Sequence, residues 1–238
     1  VTAAVLFDFA GTLFDDRALR DVHLRQLRFV ASAAGVQATD DELRAAYRRG
    51  MGVAYRSVAA RRRYLHRTLF AAAFAAMAGE LGGAVDEAVA QEAVDRQYRA
   101  TIEEATLRPG CLETLDALRR ASIHVQVVSN IDDEQLDPML ERLGLLGVID
   151  AATSSEQAGS CKPDAAIYRQ ALATACAAPG DALFVGDSLD HDVVGPGAIG
   201  MRTAWLAPVG ADPGAARPDH VIHELVDVLA LVGVGVGR

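Results

Sequence analysis

The strongest constraint in this chain is an alternation that is interrupted once. The runs Ala3-Phe9, Ile123-Ser129, Ala182-Gly186 and Met201-Leu206 are short and apolar, with β-branched residues, and amphipathic stretches such as Cys111-Arg120, Glu134-Leu143 and Ala165-Cys176 separate them. Strands alternating with helices in this way predict an α/β fold, a parallel sheet with helices on both faces.

The interruption covers residues 15 to 104. Here the chain is rich in Ala, Arg and Leu at helical spacing and has almost no strand signal. Helices are expected near 16-34, 40-49, 55-79 and 86-104, with breaks at Gly35, Gly50, Gly52 and Gly79-Gly83. Thr39-Asp40-Asp41-Glu42 supplies capping and acidic residues at one helix start. Arg108-Pro109-Gly110 reads as the turn that returns the chain to the sheet. The expected organisation is therefore a Rossmann-like core from residues 1-14 and 105-238, with an all-helical domain, 15-104, inserted after the first strand.

Composition narrows the partners. A formal net charge of -9 argues against a nucleic-acid partner, which clustered Lys and Arg would hold. The longest near-continuous apolar run, Leu69 to Met77, is far short of the roughly 20 residues a membrane-spanning helix needs, so no membrane partner is expected. Three widely spaced cysteines, Cys111, Cys161 and Cys176, suggest neither a disulfide framework nor a zinc site, which fits a reducing, cytoplasmic setting. The N-terminus reads straight into a strand, so no export signal is expected. Of the 23 basic residues only Lys162 is a lysine.

In an open parallel sheet, ligands sit beyond the carboxyl ends of the strands, so the polar residues there carry the functional argument. Asp8 ends the first run within Asp8-Phe9-Ala10-Gly11-Thr12, Ser129-Asn130 ends the second, Lys162-Pro163 lies in the loop before a helix, and Asp187 and Asp192 follow Ala182-Gly186. A carboxylate beside a glycine turn can act as a nucleophile. A compact ammonium suits a point-charge role between anions. Paired carboxylates supply the hard oxygens that a small divalent cation prefers.

Taken in order, these segments resemble the four motifs of the haloacid dehalogenase superfamily, and the helical insert resembles its type 1 cap, which closes over the active site. The resemblance spans the whole chain. It implies Asp8 as the nucleophile that forms an aspartyl phosphate. Gly11, Thr12, Ser129, Asn130 and Lys162 would bind and orient the phosphoryl group, and magnesium would be held by Asp8, the carbonyl of Ala10, Asp187 and Asp192. In this cap type the loop between helices reaches the substrate, which singles out Arg48, Arg49 and Arg56 around Gly50-Met51-Gly52. The implied substrate is a small phosphorylated metabolite.

One departure stands out. Phosphatases of the superfamily carry Asp-x-Asp-Gly-Thr, with the second Asp as general acid and base, and here that position is Ala10. General acid-base catalysis is worth about 10² to 10⁴-fold, so its loss matters. Three accounts are open: an engineered change in a normal phosphatase, a natural variant with different chemistry, or a non-catalytic binding protein on the same scaffold. Phosphonoacetaldehyde hydrolases also have Ala here but use a cap lysine, and this cap has none. Haloacid dehalogenases place an aromatic residue here and dispense with the metal, whereas this chain keeps Asp187 and Asp192. The pattern therefore favours phosphoryl chemistry.

Overall fold

The computed structural model describes residues 2–58 and 61–235. In chain order its elements are β1 (Ala4–Phe7), a 3-10 turn (Asp16–Leu19), α1 (Arg20–Ala33), α2 (Asp40–Val58), α3 (His66–Glu80), α4 (Glu87–Glu104), α5 (Cys111–Arg120), β2 (His124–Ser129), α6 (Asp133–Arg142), β3 (Ala151–Ser154), α7 (Ala165–Thr174), β4 (Ala182–Gly186), a π-turn (Leu189–Val194), α8 (Gly195–Gly197), β5 (Arg202–Leu206), β6 (His220–Ile222) and α9 (Asp227–Leu231). They form two compact units, Val1–Asp16 with Thr106–Arg238, and Arg17–Ala105.

The first unit is the Rossmann-like α/β fold that the alternation predicts. Its six strands run parallel in the order β3-β2-β1-β4-β5-β6. Every residue of β1 and β4 is buried, as expected of central parallel strands covered on both faces. Ala4, Leu6 and Phe184 pack with Ile167, Tyr168 and Ala171 of α7. The strand order reverses between β1 and β4, and a crevice opens at such a switch point beyond the carboxyl ends of the strands. β3 and β6 carry no apolar run: Ala151–Ser154 is Ala-Ala-Thr-Ser, and β6 has only three residues. Edge and near-edge strands of this kind need little apolar surface.

The second unit packs α1 to α4 around a core that includes Leu27, Leu43, Phe74, Met77 and Tyr98. The capping box expected at Thr39 is formed: its backbone N–H donates to Glu42 Oε2 at 2.7 Å, and the Glu42 N–H donates to Thr39 Oγ1 at 3.4 Å.

Two helix boundaries differ from expectation. The break at Gly50-Met51-Gly52 is absent, and α2 runs unbroken through all three residues. Gly50 is buried where α2 meets α3: a Cβ there would stand 2.7 Å from the Ala73 carbonyl oxygen and 3.1 Å from the Met77 nitrogen. Close helix packing outweighs the helix propensity that a glycine costs, about 1 kcal/mol. The helix expected over 55-79 is divided instead, with described residues 61–65 outside any helix and residues 59 and 60 outside the described residues. Gly50 can meet Ala73 and Met77 only if the chain reverses between them. Arg61, Arg62 and Arg63 are exposed in that connection rather than on a helix face.

Candidate active site

Asp8 follows the last residue of β1, and its N–H continues the ladder by donating to the Val185 carbonyl at 2.9 Å. The chain then turns at once. The N–H groups of Thr12, Leu13 and Phe14 all point to the Phe9 carbonyl, at 3.3, 2.8 and 3.3 Å, and the Gly11 N–H donates to the Phe14 carbonyl at 3.0 Å. Gly11 adopts φ +83°, and a Cβ on it would lie 2.5 Å from Asp187 Oδ2. Glycine is thus required twice, for the left-handed turn and for the approach of Asp187. The turn directs the Thr12 hydroxyl back to Asp8 Oδ2 at 3.3 Å. Ser129, the last residue of β2, brings its hydroxyl to Asp8 Oδ1 at 3.5 Å.

Lys162 is buried, and its ammonium donates to Asp8 Oδ1 at 2.6 Å and to Asp192 Oδ1 at 2.8 Å. Two neighbours fix its loop. Asn130 accepts from the Lys162 backbone N–H at 2.6 Å and donates to the Lys162 carbonyl at 2.9 Å, so its amide reads both backbone groups of one residue. Asp164 caps α7 by accepting from the Ala166 N–H at 2.8 Å. The Lys162-Pro163 peptide bond is cis.

Asp187 and Asp192 flank the start of the π-turn, a helical distortion common at functional sites. Asp192 is fully buried, with Oδ2 accepting the Ser188 N–H at 2.9 Å. A Cβ at Gly186 would fall 2.2 Å from Asp192 Cγ, so only glycine admits the carboxylate. Asp187 is exposed at the mouth, its carbonyl held by the Trp205 indole N–H at 2.9 Å.

Three carboxylates therefore face one ammonium, and the electrostatics follow from that imbalance. Burial alone lowers the proton affinity of Lys162, but Asp192 and Asp8 outweigh it and the net shift is upward. Partial desolvation, reinforced by the charges of Asp8 and Asp16, pushes Asp187 up to about 6. Burial also raises Asp192, more than Lys162 lowers it. Excess negative charge in a poorly solvated site disfavours every further anion and holds every proton more tightly. Oxygens of Asp8, Asp187 and Asp192 lie within 4.8 Å of one another, a set able to hold a divalent cation. Hard oxygen donors and a deficit of two positive charges both fit such an ion.

Comparison with known proteins agrees with this geometry. The sequence profile of the haloacid dehalogenase-like hydrolases matches residues 2–200. This chain belongs to that family. It is 31% identical over 230 residues to a phosphoglycolate phosphatase from Agrobacterium fabrum, covering 92% of this chain and 87% of that protein. It is also 31% identical over 147 residues to the ribulose-1,5-bisphosphate 5-phosphatase of Halopiger xanaduensis, covering 58% of this chain and 62% of that protein. The chain spans roughly half to two thirds of the length of several other curated relatives. In fold it is similar to the HAD-hydrolase YfnB of Bacillus subtilis bound to magnesium, with a TM-score of 0.79 at 20% identity over 98% of this chain and 99% of that one.

As a member of the family the chain brings Asp8, Gly11, Thr12, Ser129, Asn130, Lys162, Asp187 and Asp192 together beyond β1, β2 and β4, with Ala10 exposed in the first turn. Arg49 and Arg56 belong to the second unit. They lie on α2 rather than on a loop between helices, and Arg49 is ion-paired with Glu80 of α3. The substrate-reaching loop expected at Gly50-Met51-Gly52 does not exist, because those residues continue the helix. Sequence reading also missed Arg108, whose guanidinium donates twice to the Gly11 carbonyl, at 3.0 and 2.6 Å. Its only local signal is the turn with Pro109 and Gly110.

Proposed function

We propose that the chain is a magnesium-dependent phosphatase of small phosphorylated metabolites that works through an aspartyl phosphate on Asp8. The observation that carries this reading is the buried contact of 2.6 Å between the Lys162 ammonium and Asp8, with Asp187 and Asp192 beside them. Asp8 attacks phosphorus, the bond from phosphorus to the leaving oxygen breaks, and that oxygen departs with the electron pair and takes a proton. Water then attacks the same phosphorus, the acyl phosphate bond breaks, and orthophosphate leaves with Asp8 regenerated.

Each residue of the site has a part. Thr12 orients the Asp8 carboxylate, while Lys162 and Ser129 bind the transferring oxygens. The Asn130 side chain positions Lys162, and its backbone N–H, with the loop at Gly11, would bind the phosphoryl oxygens. Asp8, Asp187, Asp192 and the Ala10 carbonyl would hold magnesium, which when bound neutralises charge between phosphate and carboxylates. The Ala10 carbonyl is backbone and survives any side-chain change.

The phosphoglycolate phosphatase relative, which aligns along most of both chains, supports a small phosphorylated substrate. No described helix is long and apolar enough to cross a membrane. Three free cysteines suit the reducing, cytoplasmic setting that is part of this reading. The test is phosphate release from a panel of sugar, acyl, aryl and carboxyalkyl phosphates with magnesium or with a chelator. Turnover should require the metal and vanish in Asp8→Asn while the fold is kept. Full turnover by Asp8→Asn would refute the nucleophile.

A further inference from the structure

Resting on the phosphatase reading, the question that Ala10 leaves is where the proton for the leaving oxygen comes from. The site holds several carboxylates, and most are committed. Asp8 is tied to Lys162, Thr12 and Ser129, and Asp192 to Lys162 and Ser188. Asp187 lies against Gly11 and belongs to the metal set. Asp15 is half-buried, and its backbone N–H faces the Thr106 carbonyl at 3.4 Å.

Asp16 differs from all of these. It is exposed, and among the described residues its carboxylate has no hydrogen bond and no ion pair. The fold also brings the chain just before it back to the site. The turn after Asp8 doubles back so that Phe14 bridges Ala10, and the Phe14 carbonyl takes the Gly11 N–H. Gly11 is the residue on which Asp187 rests, so the chain passes the mouth of the site two residues before Asp16. A second bridge, from Phe14 to Leu107, and the Arg108 guanidinium on the Gly11 carbonyl pin the doubled turn. Independently, Asp16 is one of the charges that act on Asp187, after partial desolvation and Asp8.

We infer that Asp16 is the general acid and base of this chain, delivering from the far side of the doubled turn the carboxyl that position 10 lacks. In the first half-reaction its carboxylic acid gives a proton to the leaving oxygen as the bond to phosphorus breaks. In the second its carboxylate takes a proton from the water that attacks the Asp8 acyl phosphate. One proton is given and one regained, so the residue ends each cycle as it began.

The experiment compares wild type, Asp16→Asn, Asp16→Asn combined with Ala10→Asp, and Asp8→Asn, with 2-phosphoglycolate as an alkyl phosphate and 4-nitrophenyl phosphate as an aryl one. Asp16→Asn should keep its urea midpoint and lose about 10² to 10³-fold in kcat on the alkyl phosphate. It should lose the limb of the pH profile that belongs to the acid. With the aryl phosphate, whose leaving group needs no proton, the first step should survive and the second stall, so acid quenching should trap phosphorylated Asp8, seen by intact mass. Ala10→Asp in that background should restore turnover at least tenfold. Unchanged kcat and pH profile in Asp16→Asn, with no trapped intermediate, would overturn the assignment. If wild type releases phosphate from neither probe, or Asp8→Asn matches it, the phosphatase reading fails and the Asp16 role falls with it.

Discussion

The two units differ in one way of placing charge: both carry exposed pairs, such as Arg120 with Asp116 in the sheet unit, but only the sheet unit, among the described residues, also buries a charged cluster. In the helical unit, arginines meet carboxylates in the open: Arg28 with Asp40, Arg96 with Glu92, and Arg25 with Glu104 all pair at exposed or part-exposed positions. In the sheet unit the ammonium of Lys162 and two of its carboxylate neighbours are buried, and their side-chain exposures are 9% or less. A broad guanidinium is readily accommodated where water surrounds it. Asp8 and Asp192 leave room for a compact ammonium, and Lys162 donates to both at once. The contrast teaches that ion pairs in this protein mean different things by location: exposed pairs are solvated decoration, and the buried cluster is a site whose members depend on one another.

The largest effect should come from breaking that dependence. Lys162→Met removes the ammonium that pairs with both Asp8 and Asp192 and leaves buried carboxylates uncompensated, a change that typically costs about 3 to 5 kcal/mol. Urea denaturation in a chelating buffer measures it. A loss near zero would show that solvent reaches the carboxylates freely and that the contrast between the units is false.

Next come two glycines on one helix. At Gly50 an added methyl meets backbone of α3, which cannot move aside, so Gly50→Ala should destabilise the protein by about 1 to 3 kcal/mol despite the better helix former. At Gly52 a Cβ would meet only the flexible end of Arg56, at 3.4 Å. Gly52→Ala should therefore stabilise by about 0.5 to 1 kcal/mol. The same sign in both variants would mean that α2 does not press on α3 as described.

These glycines also show where sequence reading stops. The site was legible because its residues end apolar runs: Asp8, Ser129 and Asp187 are the first polar residues after, or the last within, strands that periodicity reveals. Lys162 was legible as the lone lysine. α5, with its strong apolar stripe, begins and ends where the sequence places it, at Cys111 and Arg120. Gly50 was misread because a helical glycine and a break look alike in one dimension, and the deciding contact lies on another helix. The Arg108 contact with Gly11 spans 97 residues, and the Asn130 clamp on Lys162 spans 32, so neither has a local signature. β3 and β6 were silent because strands at or near a sheet edge can be short and polar.

A smaller effect separates the units by pH. Burial lowers the pKa of His23, partly offset by its bond to Gln97 and aided by the charge of Arg44. The ring also meets Tyr47 edge to face, with centroids 4.4 Å apart. A histidine held neutral in the fold binds fewer protons than in the unfolded chain, where its value is 6.5. Its contribution is therefore fully present above that value and is lost as pH falls below it, by at most about 1.4 kcal/mol per pH unit. Urea midpoints at pH 7.5 and 5.5 should fall less in His23→Gln than in wild type. Equal falls would place the acid sensitivity elsewhere.

The smallest effect completes the comparison. Arg49 bonds Glu80 across α2 and α3, a pairing that on paper looks as strong as that of Lys162 with Asp8. Its side chain is 62% exposed, however, so water screens the pair, and ordering two long side chains offsets much of what attraction remains. Arg49→Ala should leave the urea midpoint unchanged within error at moderate salt. If it instead lowers the midpoint as far as Gly50→Ala does, the exposed pairs of the helical unit hold α2 to α3, and the division between decorative and structural charge must be redrawn.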